Sequence, residues 1–160
     1  MSNLKISSFD WFFWFQWLMS TAVGWILGRF LLPNLAFVTI GIGLGIFQWL
    51  VLQNRIRKAW RWIIATSIGW LIGSSMTMFI LPAGMDFLAG TIIGIGVGSA
   101  QWLILRHEYQ WAGWWIMINV VAWTTGMALL PGILLTGVMA GVITGLAMEL
   151  LSRTPVRENP

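Results

Sequence analysis

Trp62-Ile-Ile-Ala-Thr66-Ser-Ile-Gly69-Trp70-Leu-Ile-Gly73 is the middle copy of a phrase that occurs three times in the chain. The first copy is Trp17-Leu-Met-Ser-Thr21-Ala-Val-Gly24-Trp25-Ile-Leu-Gly28, and the third is Trp115-Ile-Met-Ile-Asn119-Val-Val-Ala122-Trp123-Thr-Thr-Gly126. A glycine-led phrase follows each of them. It reads Gly41-x3-Gly45-x2-Gln48-Trp49-Leu-Val-Leu52, then Gly94-x3-Gly98-x2-Gln101-Trp102-Leu-Ile-Leu105, then Gly141-x3-Gly145-x2-Met148-Glu149-Leu-Leu-Ser152. One apolar unit of two elements is therefore used three times.

The composition decides the solvent of that unit. Of 160 residues, 58% are hydrophobic and only 9% charged, against roughly 25% charged in an ordinary globular chain. Too few charges remain to solvate the outside of a compact body, so the bilayer is the expected solvent. Apolar stretches run over about 9–32, 36–53, 59–80, 87–105, 111–130 and 133–151. Each is long enough, at about 1.5 Å per residue, to cross a hydrocarbon core of about 30 Å. Lipid cannot satisfy free backbone polar groups, and strands of a barrel would be about 9–11 residues of alternating polarity. The expected fold is all-α, a single domain over 1–160. Six transmembrane helices form three parallel helical hairpins, at about 9–53, 59–105 and 111–152. The arrangement is either threefold about the membrane normal or a less regular six-helix bundle.

The first stretch is read as retained and not as a cleaved signal, since it carries the first copy of the phrase and lacks a small-residue cleavage site. Tight turns with Pro33, Pro82, Gly84, Pro131 and Gly132 lie on one side, where proline ends a helix and glycine permits reversal. Basic loops lie on the other. Lys5, Arg55, Arg57, Lys58, Arg61, Arg106, Arg153 and Arg157 share that side, and Arg29 alone of the nine Lys and Arg residues falls opposite. By the positive-inside rule both termini are cytoplasmic. The net charge of +4 thus orients the chain, and no nucleic-acid partner is expected. The chain has no cysteine, which removes disulfide and thiolate chemistry.

Each predicted helix carries a small-x3-small spacing: Gly24/Gly28, Gly41/Gly45, Gly69/Gly73, Gly94/Gly98, Ala122/Gly126 and Gly141/Gly145. In lipid such grooves let helix backbones approach, within one chain, along a pore, or at a seam between copies. Gly43 and Gly96 lie off the stripe and offer a second close neighbour. Ten of the thirteen tryptophans, Trp17, Trp62 and Trp115 among them, cluster toward the basic side. Headgroup depth, an aromatic belt, is the expected place for most of them. Trp25, Trp70 and Trp123 sit deeper, one helical turn from Thr21, Thr66 and Asn119, and these six predict a polar interior layer. That layer reads as interhelical hydrogen bonding or as a ligand or translocation path. Gln48 and Gln101 read as helix capping or interhelical bonding. Glu149 forms an ion pair with Arg153 four residues on, or serves as a proton or cation site. His107 belongs to a solvated loop.

No nucleotide loop, metal cluster or nucleophile–base pair is present, so no cofactor is evident and no enzyme is expected. The Gln-Trp-Leu-Val-Leu phrase after glycines, a basic loop, and a Trp-Ile-Ile or Trp-Trp-Ile start resemble a group of uncharacterised small multi-pass membrane proteins. These are common in cyanobacteria and some other bacteria. The likeness covers most of 14–152; the third glycine-led copy, with Met148 and Glu149, departs from it. It implies a plasma or thylakoid membrane and no mechanism. Two functions remain as expectations. One is a structural or assembly component whose partners are membrane lipids, other membrane proteins or a second copy. The other is a small transporter or channel using Thr21, Thr66, Asn119, Gln48, Gln101 and Glu149.

Overall fold

The computed structural model describes residues 8–82, 84–129 and 133–156, so Lys5, Arg157 and the Pro131-Gly132 turn lie outside the described residues. Six α-helices follow one another: α1 (Trp11–Phe30), α2 (Ala36–Leu52), α3 (Arg61–Ile80), α4 (Asp86–Leu105), α5 (Trp114–Leu129) and α6 (Ile133–Ser152). No strand occurs among the described residues. Each helix packs on the next, and α6 closes on α1, so the six form a ring.

Local chemistry sets the helix ends. Asp10 caps α1, its carboxylate accepting the Phe13 N–H at 2.9 Å, which satisfies one of the free donors of a first turn. Pro33 opens a short 3-10 turn, Pro33–Leu35, that leads into α2. Leu81 is extended at the end of α3, and Gly84, at φ 87°, takes the left-handed backbone that reverses the chain into α4. Lys58 is the one non-glycine among the described residues with positive φ, at 52°.

Among the described residues, four stretches are long and apolar enough to cross a membrane: Pro33–Leu52, Arg61–Ile80, Asp86–Leu105 and Leu135–Ser152. Six were expected. At sixteen residues α5 is shorter, and the twenty residues of α1 include Gln16, Ser20, Thr21, Arg29 and four tryptophans, which dilute its apolar character.

Glycine sets the order of the ring. A methyl group built on Gly24 would stand 2.8 Å from the Gly43 carbonyl oxygen of α2; on Gly45, 2.9 Å from the Ile63 backbone of α3; on Gly69, 2.6 Å from the Gly96 carbonyl oxygen of α4. The pattern continues from Gly94 to Val120 of α5, from Gly126 to Thr136 of α6, and from Gly141 to Leu18 of α1. The stripe glycines of each helix thus face the helix that follows. Gly28, Gly41, Gly73, Gly98 and Gly145 keep the same rule, while Gly43 and Gly96 face back to Gly24 and Gly69. Dispersion between close backbones is the attraction available where hydrophobic drive is weak.

Apolar side chains cover the outside as well as the core, and a polar set is buried among them. Leu50, Ile64, Ile68, Ile72, Ile95, Leu103, Met117 and Val121 are exposed, whereas Thr21, Gln48, Thr66, Gln101, Asn119, Thr136, Thr144 and Glu149 are buried.

Candidate functional site: a polar layer between two tryptophan layers

Residues 17, 21 and 25 of α1 recur at four-residue spacing, so they share one face and climb by about 6 Å per step. The same holds for 62, 66 and 70 of α3 and for 115, 119 and 123 of α5. In the ring these faces point to the centre. Trp17, Trp62 and Trp115 meet there with ring centroids 5.9, 6.1 and 6.1 Å apart, mostly edge to face. Trp25, Trp70 and Trp123 meet in a second layer at 5.6, 5.6 and 5.2 Å. Offset and edge-to-face geometry suits the ring quadrupole, positive edge against negative face.

The first triad is a part of the basic-side tryptophan cluster that does not lie on the outside. Trp17, Trp62 and Trp115 are 0% exposed and stand in the core, whereas Trp11, Trp60, Trp111 and Trp114 are exposed at the same end. Depth alone could not separate them. The separation comes from hydrogen bonding, because each buried indole N–H has an acceptor on the preceding helix around the ring. Trp62 Nε1 donates to Gln48 Oε1 at 2.9 Å, Trp115 Nε1 to Gln101 Oε1 at 2.8 Å, and Trp17 Nε1 to Thr144 Oγ1 at 3.0 Å.

Between the layers lies the polar set. Gln48 Nε2 donates to Thr21 Oγ1 at 3.0 Å, and Gln101 Nε2 to Thr66 Oγ1 at 2.9 Å. Thr21 Oγ1 donates to the Trp17 carbonyl at 3.0 Å, and Asn119 Nδ2 to the Trp115 carbonyl at 3.0 Å. Thr21, Thr66, Asn119, Gln48 and Gln101 are therefore brought together, each less than 6% exposed. The indoles that bond to the side chains of this layer are those of the first triad. In the second, the buried Trp70 N–H has no hydrogen-bond partner among the described residues.

Thr144 is the member that the sequence reading missed. The buried stripe of α2 runs Ile40, Leu44, Gln48, Leu52, and that of α4 runs Ile93, Val97, Gln101, Leu105. On α6 the matching positions are Ala140, Thr144 and Met148, all buried. Met148 removes the acceptor at the glutamine position, and Thr144, where the others have Leu44 and Val97, restores one a turn earlier. The signal was present as a threonine at an otherwise aliphatic repeat position.

The space left on the axis is small. A cavity of about 10 Å³ is bounded by Thr21, Thr66, Gln101, Asn119, Trp123 and Thr144, with others. That is about the volume one water needs.

Glu149 is not part of this layer. It is 2% exposed, and its Oε1 accepts from Arg153 Nη2 at 2.6 Å and from the Asp10 backbone N–H at 2.9 Å. Asp10 lies about three turns of α1 from Thr21. The carboxylate thus ties the start of α1 to the end of α6, where the ring closes. Asp10 in turn accepts from Arg55 Nη2 at 2.9 Å. The Phe13 N–H, and then Arg55, hold the Asp10 carboxyl below its ordinary value. Burial, then the neighbouring Glu108 charge, push the Tyr109 hydroxyl up. Gln110 N–H donates to the Thr154 carbonyl, and Val156 N–H to the Glu108 carbonyl, which fastens the chain after α6 to the α4–α5 loop.

Comparison with protein-family models, with curated proteins and with solved structures finds no match. The class that the fold defines is an all-helical ring with several helices apolar enough to cross a bilayer.

Proposed function

We propose that this protein is an integral membrane protein acting as a structural or assembly element, its polar interior serving to hold the ring together. In this reading all six helices cross the bilayer as three parallel hairpins about an axis along the membrane normal. The basic loops and both termini face the cytoplasm, in a plasma or thylakoid membrane. The aliphatic outer surface and the basic end carrying Arg55, Arg57, Lys58, Arg61, Arg106 and Arg153 support that orientation.

The observation that carries the functional reading is the axial cavity. It has room for about one water and lies between two layers of mutually packed indoles, while the surrounding side chains bond to one another. A translocation path needs hydrated volume along the axis. A hydrogen-bonded layer needs none, and each bond contributes roughly 0.6–2 kcal/mol in a membrane setting. What is left for partners is the outside: lipids, other membrane proteins or a second copy.

Proton and alkali-cation flux into proteoliposomes is the test against the transport alternative. Flux indistinguishable from protein-free vesicles, and unchanged in Asn119→Leu and Glu149→Gln, is the expected result. Sustained flux that either variant alters would overturn the structural reading in favour of transport. Recovery of the chain from mild detergent as a monomer stripped of lipid and protein would count against an assembly role.

A further inference from the structure

We infer that the outer face of the α3–α4 hairpin holds an anionic phospholipid, its phosphate among Arg57, Lys58 and Arg61 and an acyl chain between the two helices. This rests on the membrane reading above and names one partner for it.

Two hollows meet on that face. At the basic end a cleft of about 440 Å³ is lined by Arg57, Lys58, Arg61, His107, Glu108 and Leu103, with Ile104. Among the described residues the carboxylate of the cleft is Glu108, which lies 3.7 Å from Arg57, and Lys58 and Arg61 stand beside that pair. The cleft therefore keeps an excess of positive charge, fit for a phosphate monoanion. Leu103 also lines the second hollow, a groove of about 540 Å³ between α3 and α4. Gly69, Gly73 and Gly96 form its floor, where the two backbones meet, and Ile68, Ile72 and Ile95 form its exposed walls. From Leu103 to Ile92 the groove follows α4 for eleven residues, about 16 Å. That is close to half of a hydrocarbon core of about 30 Å. A charged mouth at the helix ends and an apolar groove one leaflet deep match the two parts of a phospholipid.

Among the described residues, the other hairpins lack the combination. The α1–α2 hollow near Phe12, Phe15 and Leu50 includes one cation, Arg55, already bonded to Asp10. The α5–α6 hollow near Trp111, Trp114 and Leu150 is lined without a cation.

The experiment is native mass spectrometry of the full chain in mild detergent, titrated with phosphatidylglycerol or with phosphatidylcholine of the same acyl chains. Phosphatidylglycerol is expected to bind at least tenfold more tightly. Lys58→Gln with Arg61→Gln should weaken it about 25-fold, roughly fivefold per cation, and leave phosphatidylcholine unchanged. Ser99→Trp, which fills the groove and leaves the cations in place, should weaken both lipids. Arg29→Gln, the loss of one cation at the opposite end, should change neither. Equal affinity for the two lipids would overturn the proposal, as would an Arg29→Gln loss matching that of the cleft variant. Displacement of phosphatidylglycerol by millimolar inorganic phosphate would overturn it too, as the mark of a free-phosphate site. Alkaline carbonate separates this failure from that of the membrane reading: a chain released from membranes by carbonate contradicts the latter, whatever the lipid titration gives.

Discussion

Gly94→Leu will prevent the ring from closing. A β-carbon built on Gly94 stands 2.6 Å from the Val120 Cα and 2.7 Å from the Asn119 carbonyl oxygen. Both are backbone atoms of α5 and cannot rotate aside, so the only relief is separation of α4 from α5. That separation forfeits dispersion along the whole contact and pulls Gln101 away from Trp115. Overpacking a filled interior costs roughly 1–3 kcal/mol, and more where only backbone can yield. For Gly94→Leu we expect a loss above about 3 kcal/mol, seen in mild detergent as the disappearance of a monodisperse elution peak and of a cooperative melt. Gly113→Leu is the matched control. It lies in the α4–α5 loop with nothing within 4 Å of the added carbon, and it should stay within about 0.5 kcal/mol of the parent. Equal melting of the two variants would refute the glycine-ordered ring.

The second large effect is expected from Gln101→Leu. This side chain accepts from Trp115 Nε1 and donates to Thr66 Oγ1, so an aliphatic replacement strands an indole N–H and a hydroxyl in a dry interior. Leaving a buried polar group unpaired costs about 1–3 kcal/mol, which makes about 2–6 kcal/mol for the pair. Combining Gln101→Leu with Trp115→Phe removes the stranded donor, and the double variant should be less destabilised than the two singles added together, by about 1 kcal/mol. The third hairpin offers the converse. Thr144→Leu removes the acceptor of Trp17 and should destabilise by about 1–3 kcal/mol, and adding Met148→Gln returns an amide to the position it holds in the other two hairpins. Partial recovery of the melt is expected; a further loss would show that the displaced acceptor on α6 is not equivalent to Gln48 and Gln101.

Much of this was legible in the sequence. The helices followed from apolar length, the close contacts from glycine spacing, and the gathering of Thr21, Thr66 and Asn119 from their four-residue offset to tryptophan. What was not legible is what depends on partners across the ring. Trp17, Trp62 and Trp115 lie toward the same end as the exposed Trp11, Trp60, Trp111 and Trp114, and the acceptors that pair their N–H groups stand on the preceding helices. Thr144 was hidden because its significance arises from a loss at Met148, one turn away. Of the two readings of Glu149, the ion pair with Arg153 is present, but its bond to the Asp10 N–H links residues 139 apart in sequence, and no local pattern encodes it. The direction of the glycine stripes, each toward the following helix, is likewise a property of the closed ring and not of any single helix.

Because the chain has no native cysteine, the central claim of a sealed, self-bonded polar interior can be tested with single thiols. Thr66→Cys places one in the middle of the polar layer, at a side chain that is 0% exposed, and His107→Cys places one in the exposed α4–α5 loop as the positive control. A membrane-impermeant maleimide, applied to both faces of proteoliposomes, should label His107→Cys to completion and leave Thr66→Cys unlabelled until detergent and denaturant open the ring. Labelling of Thr66→Cys in the intact bilayer, at a rate approaching that of His107→Cys, would mean a hydrated path through the axis and would contradict it.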